Sequence, residues 1–192
     1  MKSSREIPSV DAMKSELDRI RYRKRYATVI KHTVYALVAV AAAAVLVATL
    51  WLPVLRIQGG SMNPTLFDKD IVVSAKSGDC ARGDVIAFYY NNKILVKRVI
   101  ALPGDWIDID GDGFVYVNNV RLDEPYVSER ALGDCDIELP YQIPAAKYFV
   151  MGDHRSTSVD SRNTALGCVS EEQIVGRILF RVWPTKSIGS ID

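Results

Sequence analysis

A serine in a glycine-rich turn is the first candidate for chemistry in this 192-residue sequence. Ser61 lies in the stretch QGGSMNPTLFDKD, residues 58–70, between two glycines and a Met-Asn-Pro turn. A serine hydroxyl becomes a nucleophile at neutral pH only when a neighbouring base takes its proton. Ser61 is therefore either a structural turn residue or a nucleophile, and the choice depends on whether the chain supplies a base.

Histidine, the usual base, occurs at only two positions. His32 lies on the other side of an apolar segment from Ser61 and is excluded by the topology argued below. His154, in MGDHRSTSVDSR, could complete a Ser-His-Asp triad with one of the many aspartates. Nothing in the spacing of the residues supports that triad.

A lysine can act as the base if its amine is buried, because desolvation lowers its pKa from about 10.4 by as much as several units. Only Lys97, in ILVKRVIALPGD, has apolar neighbours on both sides among the lysines that follow the apolar segment. On a strand it shares one face with Leu95, Val99 and Ala101. The simpler alternative is a solvated lysine on an edge strand. The residues alone leave Lys97 and His154 both open as the base.

An apolar segment at residues 33–55 separates the two ends of the chain, with no charged residue over 23 positions. About 20 residues of helix cross the hydrocarbon core of a bilayer, so the segment is predicted to span a membrane. Pro53 lies at its far end, where it can stop the helix. The segment is too long for a cleaved signal peptide and follows 32 residues, which indicates an uncleaved signal anchor. A buried core helix of this length would need a far larger domain around it.

The charge distribution predicts the orientation. Residues 1–32 hold nine Lys or Arg against four acidic residues, a net charge of +5, whereas residues 56–192 have a net charge of −4. By the positive-inside rule, residues 1–32 are predicted to form a cytoplasmic basic arm, 33–55 the transmembrane helix and 56–192 an extracytoplasmic domain. Basic residues at a membrane boundary usually serve topology, so lipid rather than nucleic acid is the expected contact.

The part after the span is predicted to be mainly β, with strands in DIVVSAK, DVIAFYY, KILVKRVIAL, DWIDID, GFVYVNN, AKYFVMG and QIVGRILFRVW. Asn91-Asn92 predicts a hairpin, and so does DIDGDGFV. The aspartates of DIDGDG have the spacing of the first ligands in an EF-hand calcium loop. The twelfth position of such a loop is normally a glutamate ligand but is Asn119 here, and predicted strands flank the segment instead of helices. A hairpin is therefore favoured over a calcium site. Residues 119–145 are predicted to be an irregular insertion.

The three cysteines, Cys80, Cys135 and Cys168, all follow the span. They allow one disulfide in three possible pairings, or three reduced thiols. No Cys or His spacing suggests a metal ion.

Three separated motifs then suggest a family. GGSMNPTL, KRVIALPGD and GDHRSTSVDSR follow an N-terminal anchor in that order, with KDIVVS and RGDVIAF between them. Together they resemble the bacterial type I signal peptidases (leader peptidases), which are membrane-bound Ser/Lys serine proteases, and in particular the single-span type of Gram-positive bacteria. The resemblance covers roughly residues 54–184 and implies an extracytoplasmic β domain of the signal-peptidase type.

The resemblance assigns roles to individual residues. Ser61 would be the nucleophile and Lys97 the general base, with Ser158 holding the lysine amine in place. Asp160 and Arg162 would form a supporting ion pair, with Asp153 in the same motif. Residues of the Ser61 turn would shape it and contact the substrate: Gly59, Gly60, Met62 and Pro64.

Two positions depart from the family pattern. Gly59 replaces the hydroxyl that some members have two residues before the nucleophile, so only the Ser61 backbone N–H is assigned as a donor to the oxyanion. His154 stands where Asn is more common, and it is expected to hydrogen-bond the turn rather than to titrate in catalysis.

The substrates that the resemblance implies are secretory preproteins with small residues at positions −1 and −3 before the cleaved bond. The same resemblance implies that no cofactor or metal is needed. A dedicated maturation protease with the same chemistry would instead cut few substrates. A non-enzymatic, membrane-tethered binding domain would leave the joint presence of Ser61, Lys97 and the GDHRSTSVDSR motif unexplained.

Overall fold

The computed structural model describes residues 10–76 and 79–191, which divide into two compact units at about residue 48. The first unit is the greater part of one helix, α1, Val10–Trp51. Within it, Met13–Val47 is long and apolar enough to cross a membrane, and it is exposed along its length. The helix ends two residues before Pro53, and a strand begins at Val54, inside the predicted segment 33–55.

The second unit is built from short strands with the following bounds. The strands are β1 (Val54–Arg56), β2 (Ile71–Ala75), β3 (Val85–Tyr90), β4 (Lys93–Ala101), β5 (Trp106–Ile109), β6 (Val115–Val117), β7 (Val120–Arg121), β8 (Tyr141–Gln142), β9 (Lys147–Met151), β10 (Val169–Ser170), β11 (Ile174–Trp183) and β12 (Gly189–Ser190). Two short 3₁₀ turns, Glu171–Gln173 and Thr185–Ser187, flank β11. The prediction of a mainly β chain with one N-terminal helix is confirmed.

The strands form two antiparallel sheets. The larger sheet has the order β1-β2-β11-β3-β4-β9-β10, with β12 paired to β11. The smaller sheet has the order β7-β6-β5-β8. Long β11 binds β2 through its second half and β3 through its first half, with register shifts that bend it.

Alternation along the strands fills the core. In β3, Ile86 and Phe88 pack with Val99 and Val150 on one face of the large sheet, whereas Ala87 packs in a separate cluster. That second cluster includes residues of the turn that carries Ser61: Ile57, Met62 and Leu66. The turn is therefore anchored by apolar burial, which holds the backbone around Ser61 in one place.

The seven strands predicted from the sequence are all present, as β2, β3, β4, β5, β6, β9 and β11. The predicted hairpin at Asn91-Asn92 is confirmed, because both residues have positive φ and join β3 directly to β4. The predicted hairpin at DIDGDGFV is also confirmed: it joins β5 to β6, and the Asp110 carboxylate accepts the backbone N–H of Phe114. Residues 119–145 form no long element and contain only β7 and β8.

Candidate active site

Ser61 lies in the turn that connects β1 to β2. The turn is closed by hydrogen bonds from Asn63 N to Gly60 O (3.1 Å) and from Gly59 N to the Asp68 carboxylate (2.9 Å). Gly59 has a φ of +88°, a conformation that side chains with a Cβ rarely adopt. Met62 is 2 % exposed and packs into the core, so the side chain beside Ser61 is fixed.

The backbone N–H of Ser61 has no hydrogen-bond acceptor within residues 10–76 and 79–191. An unused donor beside a hydroxyl nucleophile can stabilise negative charge on a carbonyl oxygen under attack. The N–H of Gly59 is already bound to Asp68 and does not serve as a second donor in this arrangement.

Lys97 is a buried lysine in the middle of β4, where it lies opposite Ile86 of β3. Its side chain is 4 % exposed, and its Nζ donates a 3.0 Å hydrogen bond to the Ser158 hydroxyl, which is also buried. Within the described residues no carboxylate lies within 4.0 Å of the amine. The amine is thus bound to a neutral partner.

The surroundings of Lys97 lower its pKa from 10.5 to about 8. Burial is the largest cause, because it penalises the charged form, and the nearby positive charge of Arg162 acts in the same direction. Asp160 and Asp153 oppose the shift. A lysine with this pKa is partly neutral near pH 8 and can accept a proton there.

Ser61 and Lys97 line the same groove. Its volume is about 630 Å³, and its walls are residues 55–62, except Gly60, on one side and residues 92–97 on the other. Two of the other predicted contact residues, Gly59 and Met62, also line it, whereas Gly60 and Pro64 do not. A Cβ at Gly60 would press on the Asn63 side chain, and Pro64 is exposed.

The motif GDHRSTSVDSR forms a largely buried loop that follows β9. Asp160 and Arg162 form a bidentate ion pair within it, with both N–O distances at 2.8 Å and both side chains fully buried. The Asp160 carboxylate also accepts the backbone N–H of Gly152 (2.9 Å). The ion pair therefore fixes the start of the loop to its end.

Asp153 forms a second buried ion pair, with Arg98. Arg98 donates to both carboxylate oxygens at 3.0 and 2.9 Å, and both side chains are at most 1 % exposed. The Thr65 hydroxyl donates to the same carboxylate. Asp153 thus ties the loop to β4, next to Lys97, and to the turn that follows Ser61.

His154 contributes its backbone to the Ser61 turn, with its N–H bound to Ser61 O at 3.0 Å. Its ring Nδ1 lies 3.0 Å from the Thr157 hydroxyl, a bond local to the loop. The ring is not among the groups that line the groove.

Four residues that complete these contacts were not predicted from the sequence: Arg98, Glu124, Tyr126 and Arg155. Arg155 pairs with Glu124 in a third buried ion pair, and the Tyr126 ring lies 4.0 Å from the Arg98 guanidinium. Arg98 could have been found, since it follows Lys97 inside an otherwise apolar strand. The other three give no local signal.

All three cysteines have free thiols in the structure. Burial raises the pKa of each thiol, to about 11 for Cys80, so they are protonated at neutral pH.

Comparisons with known proteins agree on one family. Residues 30–183 match the family model for signal peptidases, peptidase S26. Signal peptidase IB of Staphylococcus aureus (strain COL) is 40 % identical over 148 residues, which are 67 % of this chain and 76 % of that protein. Signal peptidase I of Bacillus licheniformis is 35 % identical over 172 residues, covering 81 % of this chain and 89 % of its own length.

A crystal structure of a signal peptidase I from Enterococcus faecalis also matches, at 30 % sequence identity and a TM-score of 0.43 over 52 % of this chain and 96 % of that one. The family model covers most of the chain, and the two signal peptidases above match most of their own length. This chain belongs to the bacterial type I signal peptidases, the serine endopeptidases of family S26 that cleave signal peptides.

Proposed function

We propose that this protein is a membrane-bound endopeptidase in which Ser61 is the nucleophile and Lys97 the general base. It releases secretory proteins from their N-terminal signal peptides by cutting after small residues. The observation that carries the proposal is the environment of Lys97: a buried amine that shares a groove with Ser61 and is bound to a hydroxyl instead of a carboxylate.

Neutral Lys97 takes the proton of the Ser61 hydroxyl as its oxygen attacks the carbonyl carbon of the scissile bond. The backbone N–H of Ser61 donates to the oxygen that becomes negative. The protonated lysine then gives its proton to the leaving amine, and an acyl-enzyme ester remains on Ser61. Lys97 next takes a proton from a water molecule, whose oxygen attacks the ester carbonyl carbon. The bond to the Ser61 oxygen then breaks, Lys97 returns the proton to that oxygen, and the signal peptide leaves with a free carboxyl group.

The other loop residues hold this pair in position. Ser158 accepts from the Lys97 amine and fixes the direction of its lone pair when the amine is neutral. Asp160, Arg162 and Asp153 are positioning residues, because their contacts are to the loop and to Arg98 rather than to the groove. Gly59 and Met62 form part of the groove wall that the substrate contacts.

The groove is suited to an extended peptide. Strand β1 pairs only with β2, so its other edge has no partner among the described residues. Strand β9 pairs with β4 only from Arg98 onward, so the edge of β4 at residues 93–97 has no partner there either. Both edges lie along the groove. Unpaired edges can bind a substrate backbone by strand addition, with side chains read in alternating pockets. The family resemblance supplies the preference for small residues at −1 and −3.

The proposed membrane attachment is supported by the sequence and by helix α1. The uncharged stretch inside Val10–Trp51 spans the bilayer, and the basic residues before it keep the N-terminus in the cytoplasm. Residues 1–32 are then the cytoplasmic arm, the apolar part of the helix from residue 33 to Trp51 the signal anchor, and the β strands from Val54 onward the extracytoplasmic catalytic domain. Lipid and secretory preproteins are the partners in this arrangement, and the mechanism uses no metal ion or cofactor.

Cleavage of a preprotein with an Ala-x-Ala site, in detergent micelles, tests the proposal. We expect Ser61→Ala and Lys97→Ala to abolish cutting, whereas His154→Ala and two matched controls, Ser156→Ala and Lys147→Ala, keep it. If Lys97→Ala cuts normally while His154→Ala does not, the base is histidine and the proposed mechanism is wrong.

The range of substrates separates a general enzyme from a dedicated one. A panel of unrelated preproteins with different mature sequences is incubated with the wild-type protein. A general signal peptidase cuts most of them, and a dedicated maturation protease cuts one or two.

A further inference from the structure

The segment Glu124–Tyr126 makes three contacts with the buried arginines behind the active site, although it belongs to an insertion without long elements. Glu124 is 2 % exposed and accepts hydrogen bonds from both terminal nitrogens of Arg155. The Tyr126 hydroxyl donates to the same carboxylate at 3.2 Å. The Tyr126 ring covers the guanidinium of Arg98 at 4.0 Å, a cation–π contact.

Each arginine continues to the start of the catalytic loop. Arg155 Nε donates to Gly152 O at 3.1 Å, and Arg98 binds both carboxylate oxygens of Asp153. The segment therefore holds two consecutive residues of the loop, Gly152 and Asp153, through two different guanidinium groups. Burial keeps the Tyr126 hydroxyl protonated, since it raises the pKa of Tyr126, so it remains a donor to Glu124.

Gly152 and His154 lie next to Ser61 and to Ser158, the hydrogen-bond partner of Lys97. Gly152 leaves no room for a side chain: a Cβ there would collide with the Ser158 hydroxyl, to which Lys97 donates, and with the backbone oxygen of Ser61. The next residues along the loop bring the His154 N–H to the same Ser61 oxygen at 3.0 Å. A shift of Gly152 thus changes the placement of the base and of the nucleophile together.

We infer that Glu124 and Tyr126 are positioning residues for catalysis: they form a clasp that sets the loop of residues 152–154 and, through it, the alignment of Lys97 with Ser61. This inference rests on the proposed function for the roles of Ser61 and Lys97. The clasp also explains why the insertion reaches the catalytic core. A buried ion pair such as Glu124 and Arg155 contributes little net stability, because the cost of desolvating both charges offsets their attraction. A role in fixing the geometry of the loop therefore explains the pair better than a role in stability alone.

The burial of Lys97 gives the clasp a measurable consequence. Loosening the loop admits water to the amine, and desolvation is the largest cause of its lowered pKa. The charged groups that act on the amine, Asp160, Arg162 and Asp153, all lie on the same loop, while β3 presents the apolar Ile86 on the other side. Variants that open the clasp are therefore expected to raise the Lys97 pKa from about 8 toward its ordinary value.

The test uses the full chain in detergent micelles and the variants Tyr126→Leu and Glu124→Gln. Tyr89→Leu and Glu129→Gln are matched controls, since Tyr89 and Glu129 are exposed. We measure kcat and KM on the preprotein, the fraction folded by circular dichroism, and the Lys97 pKa from the side-chain nitrogen signal of 15N-lysine, assigned with Lys97→Arg. If Glu124→Gln does not fold, Tyr126→Leu is compared with the milder Tyr126→Phe.

We expect kcat per folded molecule to fall about tenfold or more, with KM within about twofold, because a displacement near 1 Å is costly in rate. The Lys97 pKa increases, and the midpoint of the acid limb of the kcat/KM profile moves to higher pH by the same amount. The controls behave as the wild type. A wild-type kcat and Lys97 pKa in folded Tyr126→Leu overturns the inference, as does a loss of activity that follows only the unfolded fraction. The proposed function fails if wild type and Ser61→Ala cut the preprotein equally. The nitrogen titration does not depend on activity, so it still tests whether Glu124 and Tyr126 set the environment of Lys97.

Discussion

The amino group of Lys97 lies 3.0 Å from the hydroxyl oxygen of Ser158, although 61 residues separate them in the sequence. Both side chains are buried, so neither group can exchange this partner freely for water. The bond fixes the position of an amine that ends a long and otherwise flexible side chain. Ser158 is thereby the residue that aims the base.

We expect Ser158→Ala to lower kcat by about 10- to 100-fold with little change in KM, because the base loses its orientation while the groove keeps its walls. Ser156→Ala, an exposed serine of the same loop, is the matched control. Initial rates over a range of preprotein concentrations separate the two constants. A rise in KM with kcat unchanged would mean that Ser158 binds substrate and does not aim the base.

The pKa of Lys97 predicts how activity depends on pH. With a pKa of about 8, roughly a tenth of the molecules have a neutral base at pH 7, and almost all of them at pH 9. We expect kcat/KM to rise with pH, with a midpoint near 8. Rates between pH 6 and pH 9.5, at a temperature where the protein stays folded, measure the midpoint. A midpoint near 6.5 that disappears in His154→Ala would assign the titration to histidine instead.

Much of the fold could be predicted because its signals are local. Strands β2, β5 and β6 alternate in burial, and the apolar neighbours of Lys97 in β4 made it the lysine to consider for a buried base. The Asn91-Asn92 hairpin follows from two residues that tolerate positive φ. Each of these depends on neighbours within a few positions of the chain.

The rest depends on contacts between distant residues. The pair of Glu124 and Arg155 joins positions 31 apart, and neither residue stands out in a polar loop sequence. The helix also begins at Val10, well before the apolar span, since the Lys, Arg and Glu residues of that arm are good helix formers as well as topology signals. Counting charges indicates the topology but does not predict that the arm is helical.

Lys97→Met is expected to stabilise the fold while abolishing activity. The folded pKa of about 8 lies below the ordinary 10.5, so at pH 7 the folded state carries a penalty for a buried charge that the unfolded state lacks. At about 1.4 kcal/mol per pKa unit, and after the lost bond to Ser158, we expect a net gain of about 1–2 kcal/mol. Thermal unfolding at pH 7, compared with Lys147→Met, checks the gain.

The same linkage gives the gain its own pH dependence. Between pH 8 and 10.5 the unfolded wild type binds more protons than the folded one, so wild-type stability rises relative to Lys97→Met. The advantage of the variant is therefore full below pH 8 and shrinks as the pH increases through this range. An advantage that stays constant from pH 7 to pH 10 would show that packing, and not the charge, is responsible.

Gly152→Ala is expected to reduce cleavage to near the level of Ser61→Ala. A Cβ at this position would collide with the Ser158 side chain and with the backbone oxygen of Ser61, so the base and the nucleophile would both have to move. Gly111→Ala is the matched control, because its Cβ would enter open space and its φ is not in the left-handed region. Cleavage of the Ala-x-Ala preprotein by each folded variant measures the effect. Full activity in Gly152→Ala would mean that the loop can retreat from Ser61 and Ser158 without consequence, and that the contact at Gly152 does not set the catalytic geometry.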